Sequence, residues 1–201
     1  MKNYQDISQY IKLHCKNNSK KIAIVFEDKK ISDEKLEQLV SNLSLSFLKL
    51  GISKGDRLAV VLSNSLEFIY ILFAAARVGA VIVPYNLSLP PNVLKKNFIE
   101  TKINYLIGWH KPIQEIFKIS NIEKIIRKKK TITVGTKIKG FYYFDDLLKT
   151  KKNTKNYKMN IKLINEIFII ASTSGSTGNP KPIVLTQKTK LLRSKYTIKA
   201  Y

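Results

Sequence analysis

The hydrophobic positions of the chain fall into two kinds of pattern. Short unbroken apolar runs recur at Leu58–Leu62, Ala80–Val83, Tyr105–Gly108 and Ile167–Ala171. Runs of that length, bounded by turn residues, suit strands buried on both faces of a parallel sheet. Between them lie segments with apolar residues three and four apart. Leu36, Leu39, Val40, Leu43, Phe47 and Leu50 share one face of a predicted helix over 33–50, with Ser32 as N-cap and Gly51 as its stop. A second helix is predicted from about Asn64 to Val78, where Asn64 and Glu67 have capping-box spacing and Gly79 ends it. This helix is apolar almost all round, as a helix buried between layers must be. With the strands on either side it makes a βαβ unit, which predicts a right-handed crossover and an α/β fold.

The flanking regions extend the pattern. Residues 5–15 read as an amphipathic helix with Ile7, Ile11 and Leu13 on or near one face. Ile22–Phe26 reads as a strand, followed by Glu27-Asp28-Lys29-Lys30 as a hairpin turn. Pro90-Pro91 opens a helix over about 92–101. Between 111 and 165 the pattern weakens to a helix near 112–120, a strand near 122–126 and a variable basic surface stretch. Pro182–Leu185 reads as a strand, and Thr186 starts a helix still running at Tyr201. The whole reads as α/β, with layered sheets and packed helices.

Charge changes the picture only in part. The net charge is +22, from 36 basic and 14 acidic residues, yet only Arg57, Arg77, Arg127 and Arg193 are arginine. Arginine carries most bidentate recognition of phosphate and bases, so so large a lysine excess does not suit a dedicated nucleic-acid reader. Lysine, isoleucine and asparagine have A/T-rich codons, and much of the charge reads as compositional bias on a solvated surface. The excess is concentrated in residues 101–201, in Arg127-Lys128-Lys129-Lys130 and from Lys149 to Lys162. A polyanion-binding patch there is the alternative, and a positive field would also attract a polyphosphate.

Other chemistry is sparse. One cysteine, Cys15, excludes an internal disulfide and a Cys-cluster metal site, and two histidines, His14 and His110, cannot make a zinc site alone. No signal peptide is visible at the start, and the longest apolar run, Phe68–Ala76, falls short of the ~20 residues a membrane span needs. The expectation is a cytoplasmic protein with no membrane span. Trp109 and His110 read as a packing pair at a strand end, Phe141–Phe144 as core or strand aromatics, and Asp56 as a turn residue.

One segment stands apart. Thr173-Ser174-Gly175-Ser176-Thr177-Gly178-Asn179-Pro180-Lys181 joins two apolar runs. Gly175 and Gly178 permit φ > 0 and close backbone approach, so successive N–H groups can form an anion nest. The hydroxyls add donors that rotate to fit, and Lys181 adds a mobile point charge. The pattern is not a Walker loop, because Gly178 is followed by Asn-Pro-Lys and then a strand; nor does the chain contain G-x-G-x-x-G. On spacing alone it could equally be a Ser/Gly surface turn.

The residue pattern itself is more specific. T-S-G-S-T-G-x-P-K resembles the signature loop of the adenylate-forming superfamily of acyl- and aryl-CoA synthetases, adenylation domains and luciferases. Eight fixed positions would arise by chance on the order of 10⁻⁷ times in a chain this long. The upstream stretches Leu50–Val60, Asn64-Ser65 with Glu67-Phe68, and Arg77–Asn86 resemble family stretches in order and at family spacing. The resemblance implies activation of a small carboxylic acid with ATP and Mg2+ to an acyl-adenylate, then transfer to a thiol, usually coenzyme A. It places Thr173, Ser174, Gly175, Ser176, Thr177, Gly178 and Lys181 at the ATP phosphates. The composition, in turn, leads us to expect no protein metal site and no specific nucleic-acid partner.

Two departures accompany the resemblance. The family has Gly after the lysine, where this chain has Pro182, which removes a donor and fixes φ. The family is also well over twice this length. Residues 1–201 are therefore expected to be the incomplete N-terminal part of the large AMP-binding domain, without the small C-terminal domain or its catalytic lysine, and inactive alone. The alternatives are an adenylation domain that loads a carrier protein, or a non-catalytic nucleotide- or nucleic-acid-binding basic module.

Overall fold

The computed structural model describes residues 5–86, 88–150, 162–172 and 182–200. Helix α1 (Gln9–Asn17) leads to a hairpin of β1 (Ile22–Phe26) and β2 (Lys29–Ser32). Helix α2 (Asp33–Lys49), strand β3 (Arg57–Val61), helix α3 (Leu66–Val78) and strand β4 (Val81–Pro84) follow. Then come α4 (Pro91–Glu100), β5 (Tyr105–Trp109), α5 (His110–Phe117), β6 (Thr131–Val134), β7 (Tyr142–Tyr143) and α6 (Phe144–Leu148). Strands β8 (Ile167–Ser172) and β9 (Pro182–Thr186) and helix α7 (Gln187–Ala200) complete the described elements.

Apart from the β1–β2 hairpin, the strands form one sheet in the order β7-β6-β5-β3-β4-β8-β9. The pairs are parallel except β8–β9. The sheet therefore has helices on both faces, and side chains alternate between them with period two. Leu58, Val60, Ile82, Ile107 and Ile132 join Leu43, Phe47, Ile71 and Ala74 of α2 and α3 in one core. Ala59, Val61, Val81, Val83 and Leu106 join Leu94 and Phe98 of α4 and Ile113 and Ile116 of α5 in the other. Each fully buried side chain of this size stabilises by roughly 1.5–3 kcal/mol relative to exposure, which is why unbroken runs predicted these strands.

The local chemistry of the ends follows the residues. Ser32 Oγ accepts from Lys35 N at 3.2 Å, as an N-cap should. Gly79 caps α3 with φ 78°, a left-handed conformation that glycine adopts without strain. Asp56 Oδ2 accepts from Ser53 N at 2.8 Å and closes the turn before β3. Arg77, the last charge on α3, ties three helices together. Its Nη2 reaches Glu37 Oε2 at 2.8 Å, its Nη1 Ser41 Oγ at 2.8 Å, and its Nε Ser8 Oγ at 2.9 Å.

Several expectations need correction. The N-cap of α3 is Ser65, whose Oγ accepts from Phe68 N at 3.2 Å; the Asn64–Glu67 box is one residue out of phase. Helix α1 begins at Gln9, later than residue 5, because Asp6 Oδ1 accepts from Ser8 N at 2.7 Å and holds a turn there. Lys29 and Lys30 are already in β2, and Glu27 takes the positive φ, 52°, that the tight turn requires. The segment 122–126 is not a strand. Ile122 and Ile126, four residues apart, are buried beneath a one-turn 3-10 helix at Ile122–Lys124. The strand in this region is β6; β7 at Tyr142–Tyr143 and buried Phe144 at the start of α6 agree with the reading of Phe141–Phe144 as core or strand aromatics.

Candidate functional site at the carboxyl end of the sheet

Residues 173–181, including Thr173, Ser174, Gly175, Ser176, Thr177, Gly178 and Lys181, lie outside the described residues. What is described is the frame that holds them. Strands β8 and β9 pair antiparallel, and Ser172 lies opposite Pro182 at the last rung. The loop therefore leaves and re-enters the sheet at facing positions, as the closure of a hairpin. Proline is tolerated there because β9 is the last strand of the sheet and Pro182 its first residue.

The frame also fixes where the loop opens. β8 runs parallel to β4, and β4 parallel to β3. The loop thus emerges at the carboxyl end of the parallel strands, together with the connections leaving β3, β4 and β5. β3 hands over to α3, which packs in one core, while β4 and β5 hand over to α4 and α5, which pack in the other. Connections that diverge from neighbouring strands leave a crevice at the carboxyl ends, the general place for ligands in open α/β sheets.

Both arms of the hairpin are anchored. Phe168 is 1% exposed on the incoming strand. On the outgoing side Gln187, also 1% exposed, is the first residue of α7. Its Nε2 donates to Ala76 O at 2.9 Å and its Oε1 accepts from Ile7 N at 2.8 Å. Lys188 N donates to Ile164 O at 2.7 Å. The loop's exit is thereby tied to the end of α3 and to the residues before α1. The sequence pattern held no signal for this role of Gln187, since an apolar-strand-to-helix junction says nothing about distant backbone partners.

Other groups collect at the same end. Trp109 Nε1 donates to Ser63 Oγ at 3.1 Å, which links the ends of β3 and β5. His110 follows directly, and its Nδ1 is buried with no hydrogen-bond partner among the described residues. Gly135 lets β6 end against it: a Cβ there would stand 3.1 Å from His110 Nδ1. Tyr85, just after β4, instead turns its hydroxyl back toward the amino end, 2.6 Å from Thr101 Oγ1 at the end of α4, and burial pushes its pKa up to about 12. It stays a neutral hydroxyl throughout the physiological range. Among the described residues no group of three or more His, Cys, Asp and Glu could hold a metal ion. No helix among them is long and apolar enough to cross a membrane.

Residues 11–200 match the family described as AMP-binding enzyme. The chain is 27% identical over 173 residues to the acyl-CoA ligase SID4 of Ajellomyces capsulatus, covering 80% of this chain and 29% of that protein. It is 25% identical over 211 residues to the acetyl-coenzyme A synthetase of Bartonella henselae, covering 92% of this chain and 32% of the relative. The chain thus spans about a third or less of the curated relatives it matches. Among solved structures, the anthranilate CoA ligase AuaEII in complex with anthranoyl-AMP superposes with a TM-score of 0.84 at 18% identity, over 97% of this chain and 37% of that one. The luciferase-like enzyme of the mealworm Zophobas morio gives 0.84 at 18% identity, over 98% and 46%. These superpositions show a shared α/β fold.

Proposed function

Because the chain belongs to the AMP-binding enzyme family, we propose that it supplies the triphosphate-gripping part of an ATP-dependent carboxylate–CoA ligase. The observation that carries this reading is the sequence Thr173–Lys181 suspended between paired strands at the carboxyl end of the sheet. In the proposed reaction a carboxylate oxygen of a small acid bonds to the α-phosphorus of ATP. The bond from that phosphorus to the bridging oxygen breaks, and its electron pair leaves on pyrophosphate. The acyl-adenylate then passes its acyl group to the thiol of coenzyme A, with AMP leaving.

The chain's own contribution is to the leaving group. Charge grows on the β and γ phosphates as pyrophosphate departs. Donors already aimed there stabilise it without reorganisation. Ser174, Ser176, Thr173 and Thr177 supply hydroxyls, Gly175 and Gly178 let the backbone approach, and Lys181 supplies a point charge. The hairpin arms let such a loop open for the nucleotide and close for chemistry without disturbing the sheet. The described residues provide no carboxylate cage, so Mg2+ is proposed to come with the phosphates; when bound it neutralises charge on them.

The relatives named above are roughly three times as long. The proposed place of residues 1–201 is the first part of the large AMP-binding domain, acting in the cytoplasm within a longer protein. Alone, the chain is proposed to bind ATP weakly and to form no acyl-adenylate. Calorimetric titration with Mg-ATP, run beside acid-dependent pyrophosphate exchange, tests both halves. Weak binding with no exchange is expected. Exchange by residues 1–201 alone would overturn the division of labour, and no binding at all would overturn the loop assignment.

A further inference from the structure

The charge of this protein is distributed between the two ends of its sheet in a way that composition does not explain. The connections leaving β3, β4 and β5 at the carboxyl end are residues 62–65, residues 85–90 and the direct β5–α5 junction. They contain no lysine, arginine, aspartate or glutamate; the connection leaving β6 carries Lys137, which pairs with Asp146, and Lys139, and the segment leaving β8 carries Lys181. Over the described residues, the connections entering β3, β5, β6 and β8 at the opposite end contain Lys54, Lys102, Lys118, Lys124, Arg127, Lys128, Lys129, Lys130, Lys149 and Lys162. The acidic residues among them are Asp56, Glu123 and Glu166. A codon bias alone would load the two ends alike.

Pairing does not neutralise the excess. Glu166 takes Lys54, Glu123 takes Lys128, and Lys118 pairs with Glu115 on its own helix. Asp56 is occupied with Ser53. Lys130 lies over the Tyr105 ring at 5.1 Å. Lys102, Lys124, Arg127 and Lys129 are exposed and form no ion pair among the described residues. The cations also spread in two dimensions. Lys54, Lys102 and Lys128–Lys130 precede neighbouring strands along the sheet, which are about 4.8 Å apart. Lys49, exposed at the end of α2, extends the face toward one helix layer, and Lys118 and Lys124 after α5 extend it toward the other.

We propose that this amino-end face of the sheet docks on an anionic phospholipid surface, turning the phosphate-loop end away from it. Three features favour a lipid surface over nucleic acid. The cations are lysines with one arginine, and arginine is the better reader of nucleic acid. The described residues of these connections include no Phe, Tyr or Trp on which bases could stack; Tyr157 lies outside them. The charges cover an area, which matches a plane of headgroups, and a polybasic cluster near an anionic leaflet is attracted charge by charge.

The test is co-sedimentation of the whole chain with phosphatidylcholine vesicles, with and without phosphatidylserine, at low salt and at about 0.15 M. Binding to the anionic vesicles alone, weakening with salt, is expected. The triple variant Lys102→Glu, Lys124→Glu and Lys129→Glu should lower partitioning on the order of a hundredfold, from about 1 kcal/mol per lysine. A matched control, Lys16→Glu with Lys29→Glu and Lys30→Glu, makes the same charge change elsewhere and should retain most of the binding. Thermal melts confirm that both variants fold; if the triple variant does not, Lys129→Glu alone is read for its roughly fivefold share. Equal losses in the two triple variants would overturn the proposal, because only bulk charge would then matter. So would indifference to phosphatidylserine, or binding to a mixed-sequence RNA duplex in preference to the vesicles.

Discussion

Strands β3 and β9 lie in one sheet and are both rich in Val, Leu and Ile or Ala, yet they occupy opposite situations. In β3 every residue after Arg57 is buried, and its neighbours β4 and β5 cover both edges. In β9 Ile183 is 44% and Val184 53% exposed, and β8 covers one edge only. A hydrophobic run therefore says that a strand exists, while its neighbours decide whether that strand carries stability. The proposed phosphate loop joins the buried strand β8 to this lightly packed edge strand. Regions that must open for a ligand are drawn from the less stable parts of a fold.

The sharpest way to break this contrast is to truncate one side chain in each strand. Leu58→Ala should destabilise by about 2–5 kcal/mol, the range for buried Leu→Ala with a residual cavity. Val184→Ala should stay within about 0.5 kcal/mol, as exposed substitutions do. Urea unfolding of the two variants measures both, and similar losses would dissolve the distinction.

A smaller effect is expected where the light arm is tied to the heavy core. Gln187→Ala removes the partner of both Ala76 O and Ile7 N, at a cost of about 1–3 kcal/mol. Proteolysis near residue 186 should also quicken. A melt unchanged from the wild type would show that the loop's exit is held by other contacts.

The smallest effect concerns pH. Tyr85 and Tyr70 are each raised to about 12 from an ordinary 10, chiefly by burial. The folded state thus keeps a proton that the unfolded chain gives up. Their contribution is complete below pH 10 and is lost as pH rises from 10 through about 12. Tyr85→Phe should flatten part of the fall in melting temperature over that window, relative to the wild type. The same slope in both proteins would contradict the burial of the Tyr85 hydroxyl.

The contrast also explains what could be read before any coordinates. The β3–α3–β4 unit was legible because its run lengths, helical period and Gly79 stop all agree. Strand β6 was not, since Thr131 and Thr133 interrupt its apolar character. Both are fully buried, with their hydroxyls donating to Arg127 O at 3.0 Å and Tyr142 O at 3.2 Å, and no pattern announces a satisfied buried threonine. Ile122, Ile125 and Ile126 misled in the opposite sense, because β-branched residues close in sequence suit a strand until a tight turn buries Ile122 and Ile126 at helical spacing. The loop was legible as residue types but not as a position. The parallel pairing of β8 with β4 puts the end of β8 at the carboxyl end of the sheet, and Ser172 opposite Pro182 brings the start of β9 beside it.

The central claim is that Thr173–Lys181 grips a triphosphate, and nucleotide affinity tests it most directly. Mg-ATP is titrated into the wild type and into Ser176→Ala combined with Lys181→Ala, with melting temperatures measured alongside. Loss of two charge-directed contacts, at about 1.5–3 kcal/mol each for hydrogen bonds to charged groups, should weaken binding at least about tenfold and leave the melt unchanged. Equal affinity in the two proteins would contradict the account.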